Sequence, residues 1–416
     1  MQKASSFFDK TIPLHFNLSV RRVVRALAVT LLLYSTYVVT HYTYIFFTHF
    51  RFYGPLRQLS AWMPGNQNAH KKRVMLVFPY GWCGDENTAH YMQRAFAKKG
   101  VSVVTCNVDP SYNRKSHRPV YKLAKWVNAW LQTEFLVFLT LDTQDPDCLG
   151  GSYCYVGTWA VNDLKHLRLN TSFYQHYNGY LHGGEVGWVK ERLKVLAPQD
   201  PKAFVFVPLS VNRTGVKEPA TPRKIFWCGG AWDNARGGTY LPFWKKLVQN
   251  DQIHIYGPEH IWRRKQWRFA RGCYNGFLPF GQPDLFVQKM RDAGIVLSLH
   301  APEFILMNIT TNRVMEGAAS GCLVISDKHP FVMKHFKDSV LYVDQTKSPL
   351  EMYRQIQAHL AWVQKHPDLA KEKAWRAHQI FNQHFAMDLL IDNLLKAHAQ
   401  LKAKEAKASN SLQVVD

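Results

Sequence analysis

What the sequence lacks narrows its chemistry first. Its 7 cysteines (Cys83, Cys106, Cys148, Cys154, Cys228, Cys273 and Cys322) include no Cys-x-x-Cys pair and no neighbouring His ligand pattern, so neither a zinc framework nor a disulfide scaffold is implied. Several lie in apolar runs, where a free thiol behaves as a small buried hydrophobe. The first strand-like run ends in YGWCGDEN, without the Gly-x-Gly-x-x-Gly turn that lets a dinucleotide pyrophosphate approach the backbone, which argues against an oxidoreductase. Acidic residues are scarce: 30 Asp and Glu stand against 52 Lys and Arg, for a formal net charge of +22. Such a surface favours anionic partners, among them nucleic acid, anionic lipid and nucleotide diphosphates. Zinc-finger spacing, an RNA-binding sheet signature and a basic helix are all missing, so nucleic acid is not an expected partner. Much of the excess sits at the ends instead, at Lys3, Lys10, Arg21, Arg22 and Arg25, and at Lys396, Lys402, Lys404 and Lys407.

What is present suits two folded lobes. The chain has 416 residues, 47% of them hydrophobic and 20% charged, enough for two ordinary cores with material left at each end. Residues Ala26 to Phe47 read ALAVTLLLYSTYVVTHYTYIFF without an acidic or strongly basic side chain. A span of about 20 apolar residues matches a bilayer's hydrocarbon core, and tyrosines suit its interface. The expectation is a membrane anchor, single-pass or monotopic. Arg21, Arg22 and Arg25 before it favour an N-in arrangement over Arg51, Arg57 and the Lys71, Lys72, Arg73 cluster after it, while a cytosolic donor supply would ask for the reverse, so the side stays open.

Beyond a polar linker, RVMLVFPYG (Arg73 to Gly81), a helix from Thr88 to Lys99 and VSVVTC (Val101 to Cys106) compose a βαβ unit, with EFLVFLTLD (Glu134 to Asp142) a further central strand. PKAFVFVPLSVN closes this series, and the Pro/Thr-rich stretch Thr214 to Pro222 breaks it. A second series follows: KIFWCGG, a helix near Tyr240 to Val248, IHIYG, AGIVLSLH and CLVISD, then helix from Pro349 to about Lys404. The expected divisions are a basic tail (1–25), an anchor helix (26–50), a first Rossmann-like lobe (71–213), a second (223–385) and a C-terminal helix with a basic tail (386–416).

The stretch NITTNRVMEGAASGCLVISD, Asn308 to Asp327, combines three physical jobs. Thr310 and Thr311 precede a helix start, where hydroxyls cap and free N–H groups offer partial positive charge to a diphosphate. Arg313 in the first turn can pair bidentately with phosphate oxygens, and Glu316 one turn on can accept from two ribose hydroxyls. Gly317, Ala318 and Ala319 keep one face small for close approach to a sheet, and Gly321 suits a left-handed stop. Taken alone, the same stretch also fits the strand-helix-strand unit of any α/β protein.

The order Asn-Arg-x-x-Glu-Gly-Ala-Ala-Ser-Gly-x-x-Val-Ile-Ser-Asp resembles the donor-site helix of the group 1 glycosyltransferases, especially their spore-maturation-type branch. The resemblance covers Lys224 to Phe385, including CGGAWDNARGG, IYGPEHIW, GFLPFGQPDLFVQKMRDAGIVLSLH and FKDSVLYVD. It implies a GT-B fold: two Rossmann-like domains facing across a cleft, the second holding a nucleotide-sugar donor, without a metal or other cofactor. Glu316 then stands for the ribose-binding Glu and Arg313 for the Arg beside it. Arg236, in the loop that begins at Gly230, stands for a diphosphate contact, and Asn312 belongs to the same donor segment. Asn308 occupies the position eight residues before the ribose Glu, where many relatives carry another Glu, a departure that touches the donor-sugar contact.

Such a fold stabilises the departing nucleotide diphosphate with basic side chains and helix N-termini. An inverting enzyme adds a base near the acceptor hydroxyl, for which Asp85, Glu86 and His182 are the candidates, whereas a retaining one needs none. The competing motif is Asp145-Pro146-Asp147, which follows a strand as the metal-binding Asp-x-Asp does in GT-A transferases; Asp and Pro are also ordinary turn residues. The expected activity is sugar transfer to a glycan, lipid or protein acceptor at a membrane. A non-catalytic GT-B-like binding protein is the alternative.

Overall fold

The computed structural model describes residues 28–40, 50–53, 73–79, 83–108, 133–139, 153–159, 177–184, 203–229, 240–259, 265–279 and 282–413. Of the anchor expected over 26–50, residues 28–40 and 50 are described. Helix covers residues 28–40, and Phe50–Tyr53 is a strand instead. No helix among the described residues is long and apolar enough to cross a membrane.

The first sheet holds β1 (Phe50–Tyr53), β2 (Arg73–Pro79), β3 (Ser102–Val108), β4 (Phe135–Phe138), β5 (Cys154–Gly157), β6 (Gly179–His182) and β7 (Ala203–Phe206). Their spatial order is β1-β3-β2-β4-β5-β6-β7. Only β1, on the edge, is antiparallel. Near-continuous apolar runs such as Val74 to Phe78 are buried because a parallel sheet is covered on both faces. The crossover helix α1 (Cys83–Lys98) begins five residues earlier than its apolar pattern suggests, its first turn being the acidic loop itself.

The second sheet is all parallel, with order β12-β11-β10-β8-β9. Its strands are β8 (Lys224–Cys228), β9 (Ile253–Tyr256), β10 (Gly294–Ser298), β11 (Leu323–Asp327) and β12 (Leu341–Val343). Around it lie α2 (Leu241–Gln249), α3 (Pro283–Ala293), α4 (Pro302–Leu306), α5 (Asn312–Ala319), α6 (Pro330–Phe336), α7 (Pro349–Lys365) and α8 (Pro367–His384). Gly294 ends α3 at φ 80°, where an added Cβ would lie 2.0 Å from the Thr221 carbonyl oxygen, so helix and strand meet with no room for a side chain. Gly321, at φ 65°, stops α5 in the left-handed region as expected.

Two chain crossings join the lobes. One is the extended stretch after β7. The other leads from α8 into α9 (Met387–Gln413), which packs back on the first sheet: Tyr155 Oη lies 3.0 Å from His398 Nδ1, and Lys99 pairs with Asp392 at 2.6 Å. A single apolar core runs through both lobes, taking Phe135 and Leu181 from the first and Val314, Met315, Phe331 and Phe381 from the second.

Candidate functional site

In an open α/β sheet a ligand sits beyond the carboxyl ends of the strands, where the strand order reverses. In the second sheet that point lies between β8 and β10. The helix α5 opens there, with Thr311 as its N-cap in extended conformation. The capping expected of Thr310 and Thr311 does not occur, because both hydroxyls are committed elsewhere. Thr311 Oγ1 lies 3.0 Å from Ser298 Oγ, and Thr310 Oγ1 lies 3.2 Å from His300 Nε2. No side-chain cap reaches the first turn of α5. Its backbone N–H groups therefore keep their capacity for an anion.

Arg313 crosses the reversal point. Its Nε donates to the Cys228 carbonyl at the end of β8 at 2.9 Å, its guanidinium lies 5.2 Å from the Phe286 ring centre, and its Nη1 pairs with Glu316. Burial opposes the guanidinium charge, but Glu316 outweighs it and holds the arginine above its ordinary range. Glu316 is only 4% exposed. Across the cleft Tyr91 of α1 hydrogen-bonds to it, and burial first, then the Glu316 charge, pushes the phenol well above its usual value. A cavity of about 610 Å³ reaches Glu316 from between the lobes, walled by Tyr91, Asn212, Phe286, Met290 and Ser320 among others. Its lining takes in residues 211–218 and the far end of α5, and none of Asn308 to Arg313.

The leader into α5 is held in an unusual shape. Asn308 has φ 54°, and its side-chain Oδ1 is buried without a hydrogen-bond partner, as is that of Asn312. Two carbonyl acceptors thus stand unused beside the helix start. On the first lobe, Gly184 fits against this leader so closely that a Cβ there would lie 2.6 Å from the Asn308 carbonyl oxygen. His182 ends β6 two residues earlier, its Nδ1 2.6 Å from the Gly184 carbonyl. That contact places the ring proton on Nδ1 and the lone pair on Nε2.

The structure therefore brings Asn308, Thr310, Thr311, Asn312, Arg313 and Glu316 together, with His182 close to their leader. Glu86 lies in the first turn of α1 beside His90, where a carboxylate also favours the helix dipole. Asp85 is in the same turn, its side chain outside the described residues. Gly230, Arg236, Asp145 and Asp147 also lie outside them. No group of three metal-ligating side chains occurs among the described residues. Sequence reasoning missed Tyr91, which sits in an ordinary helical stretch, and His300 with Asp327, whose only local signal is that each lies at a strand's carboxyl end.

Comparison with known proteins agrees with this geometry. Residues 240–396 match the family model described as glycosyl transferase-like. The fold resembles a glycosyltransferase from Rickettsia africae, with TM-score 0.52 at 12% identity over 80% of this chain and 99% of that one. It also resembles Anabaena Alr3699/HepE, solved with UDP, with TM-score 0.50 at 8% identity over 79% of this chain and 100% of that one. No curated protein matches the chain. The fold is of the two-lobed GT-B kind. The glycosyl transferase-like match falls on the second lobe and includes α5.

Proposed function

We propose that this protein transfers a sugar from a nucleotide-sugar donor to a glycan, lipid or protein acceptor beside a membrane, with the donor diphosphate at the amino end of α5. The observation that carries the reading is Arg313, which bridges the end of β8 and Glu316 at the reversal point of the second sheet. The leaving diphosphate gains charge as the glycosidic bond breaks. Arg313 and the uncapped N–H groups of α5 supply preorganised positive charge where that develops. Glu316 accepts from the ribose hydroxyls, exchanging part of its pairing with Arg313 and Tyr91 for the donor. Asn308 and Asn312 offer their unused amide oxygens to hydroxyls of the donor.

The acceptor enters from the first lobe, where His182 is the best-placed base of the three candidates. Its Nε2 carries the lone pair, and its neighbours Gly183 and Gly184 touch the leader of α5. Asp85 and Glu86 have a sufficient role at the start of α1. Action beside a membrane rests on the stretch 28–40, in which Leu31, Leu32, Leu33, Tyr34 and Val39 are each more than 60% exposed. A helical stretch with exposed apolar residues, and arginines on either side of it in the sequence, suits the headgroup boundary of an anionic bilayer. Ser35 and Thr36 spend their hydroxyls on the Leu32 carbonyl, which leaves the stretch less polar still.

The test is donor hydrolysis and transfer by Arg313→Ala and Glu316→Ala. Both activities are expected to fall; wild-type rates in both variants would end this reading. His182→Gln is expected to keep donor affinity and lose transfer, and wild-type transfer would remove His182 from the base role. Flotation with anionic vesicles, with and without residues 1–49, checks the membrane.

A further inference from the structure

Behind the donor helix lies a polar chain that the reading above does not use. Asp327, at the end of β11, is fully buried and grips His300 twice: it accepts from the main-chain N–H at 2.6 Å and meets the ring Nδ1 at 2.7 Å. The other ring nitrogen reaches Thr310 Oγ1 at 3.2 Å. His300 is 2% and Thr310 0% exposed, so the whole chain is shielded from water. His329 packs against His300, the ring centres 4.2 Å apart and the planes tilted by 40°. It is tied at both nitrogens, accepting from the Phe331 N–H at 3.2 Å and donating to the Phe304 carbonyl at 3.2 Å.

These contacts surround the one strained turn at the site. Asn308 holds a left-handed conformation that a non-glycine side chain adopts at a cost, so its neighbours must impose it. On one side of that turn, His329 fixes α4 through Phe304. On the other, His300 fixes Thr310, while Ser298 fixes Thr311. A buried polar chain of this kind is costly to leave half satisfied, and fully satisfied it enforces one geometry. Asp327, His300, Thr310 and His329 are each at most 2% exposed, so their effect on the reaction must pass through the leader.

We propose that Asp327 and His300 are positioning residues of the donor site, setting the leader Asn308 to Thr311 so that the Asn308 amide oxygen and the opening N–H groups of α5 meet the donor together. The inference rests on the donor reading given above. Thr310→Val tests it with almost no change of shape: the methyl-for-hydroxyl exchange cuts the link from His300 to the leader, and with it only a long 3.5 Å contact of the same hydroxyl to the Thr311 carbonyl. The donor KM is expected to rise and kcat to fall, together lowering kcat/KM by about 10- to 100-fold, since misplacement of about 1 Å costs on that order. Thr310→Ser restores the hydroxyl and is expected to return kcat/KM to within about twofold of wild type.

Asp327→Asn keeps the grip on the His300 main chain but reverses the ring's proton placement. It is expected to act in the same direction as Thr310→Val, and the double variant to be no worse than the poorer single one. A chain that only holds the fold would lower the melting temperature of Thr310→Val while leaving the KM and kcat of the folded enzyme unchanged. That outcome overturns the proposal. Arg313→Ala and Glu316→Ala in the same assay separate the two readings. If they lose donor binding while Thr310→Val does not, the positioning role alone falls; if they too behave as wild type, the donor site itself is misplaced.

Discussion

Replacing Glu316 with Gln isolates one charge at the centre of the donor site. The side chain keeps its shape, still meets Arg313 through its carbonyl oxygen, and loses only its capacity to accept as a carboxylate. Because Glu316 is 4% exposed, the hydrogen bonds it offers two ribose hydroxyls are little diluted by water. Charge-assisted bonds of this kind are worth about 1.5–3 kcal/mol, so donor affinity should fall roughly 10- to 100-fold. The assay is thermal or urea unfolding with increasing UDP, GDP, CDP or ADP, since a ligand that binds only the folded state stabilises it by RT ln(1 + [L]/Kd). At a hundred times the wild-type Kd of the best nucleotide, wild type gains about 2.7 kcal/mol. A variant about 30-fold weaker gains about 0.9 kcal/mol under the same conditions. A third of the stabilisation should therefore survive, on top of a lower unliganded stability because the buried Arg313 loses its compensating charge. Equal nucleotide stabilisation of wild type and Glu316→Gln, for a nucleotide that binds, would refute the assignment of Glu316 to the ribose.

Three further outcomes follow from particular contacts. Gly184→Ala places a Cβ 2.6 Å from the Asn308 and 2.9 Å from the Met307 carbonyl oxygens, both rigid backbone, so it should cost about 1–3 kcal/mol and raise the donor KM, measured by denaturant melts and initial rates. His329 is pushed down to about 4, by burial first and then by the nearby His300 charge. Between its ordinary value of 6.5 and that value the unfolded chain binds the extra proton, so stability is full above pH 6.5 and falls as pH drops toward 4, by about 3 kcal/mol. Burial lowers His378 in the same direction, so the comparison of wild type with His329→Asn, whose melts should be flatter between pH 7 and 4.5, isolates the His329 share. Donor hydrolysis should be unchanged by EDTA, because Arg313 and helix N–H groups supply the charge; loss restored by Mn²⁺ would favour Asp145 and Asp147 instead.

The donor helix was legible because its chemistry is local. Asn312 to Gly321 carries the proposed phosphate partner, the proposed ribose partner, a small face and a stop within ten consecutive positions, and Gly317 faces Val324 and Val296 as the small-face reading requires. Long apolar strands such as β2 and β8 were legible for the same reason. Strands β5 and β6 were not: each has four residues and includes a glycine, and each is identified by its parallel neighbours more than by its own pattern. The capping hydroxyls were misassigned because the competitors for Thr310 and Thr311 are His300 and Ser298, which only the end of β10 brings within reach. Tyr91 was invisible for a related reason, since its partner Glu316 belongs to the other lobe.

The two chain crossings explain how a site shared between lobes can open without losing its register. Met387 N–H donates to the Val211 carbonyl at 2.8 Å, Ser210 Oγ donates to the Phe385 carbonyl, and Arg213 pairs with Asp388 at 2.6 Å. The crossings are thus bonded to each other. Just beyond them, Thr214 Oγ1 donates to the Ala319 carbonyl at 2.6 Å and Ala220 N–H to the Gly321 carbonyl at 2.8 Å, so the linker moves with α5. The α5 side of the site is thus bonded to the linker, and the lobes meet at the contacts of Gly184 with Asn308 and of Tyr91 with Glu316. Those contacts are of the kind that can separate: a glycine against backbone, and one phenol on one carboxylate. A larger side chain at either place would hold the lobes apart or together, which is why a donor that must enter and a nucleotide that must leave favour small and singly bonded groups there.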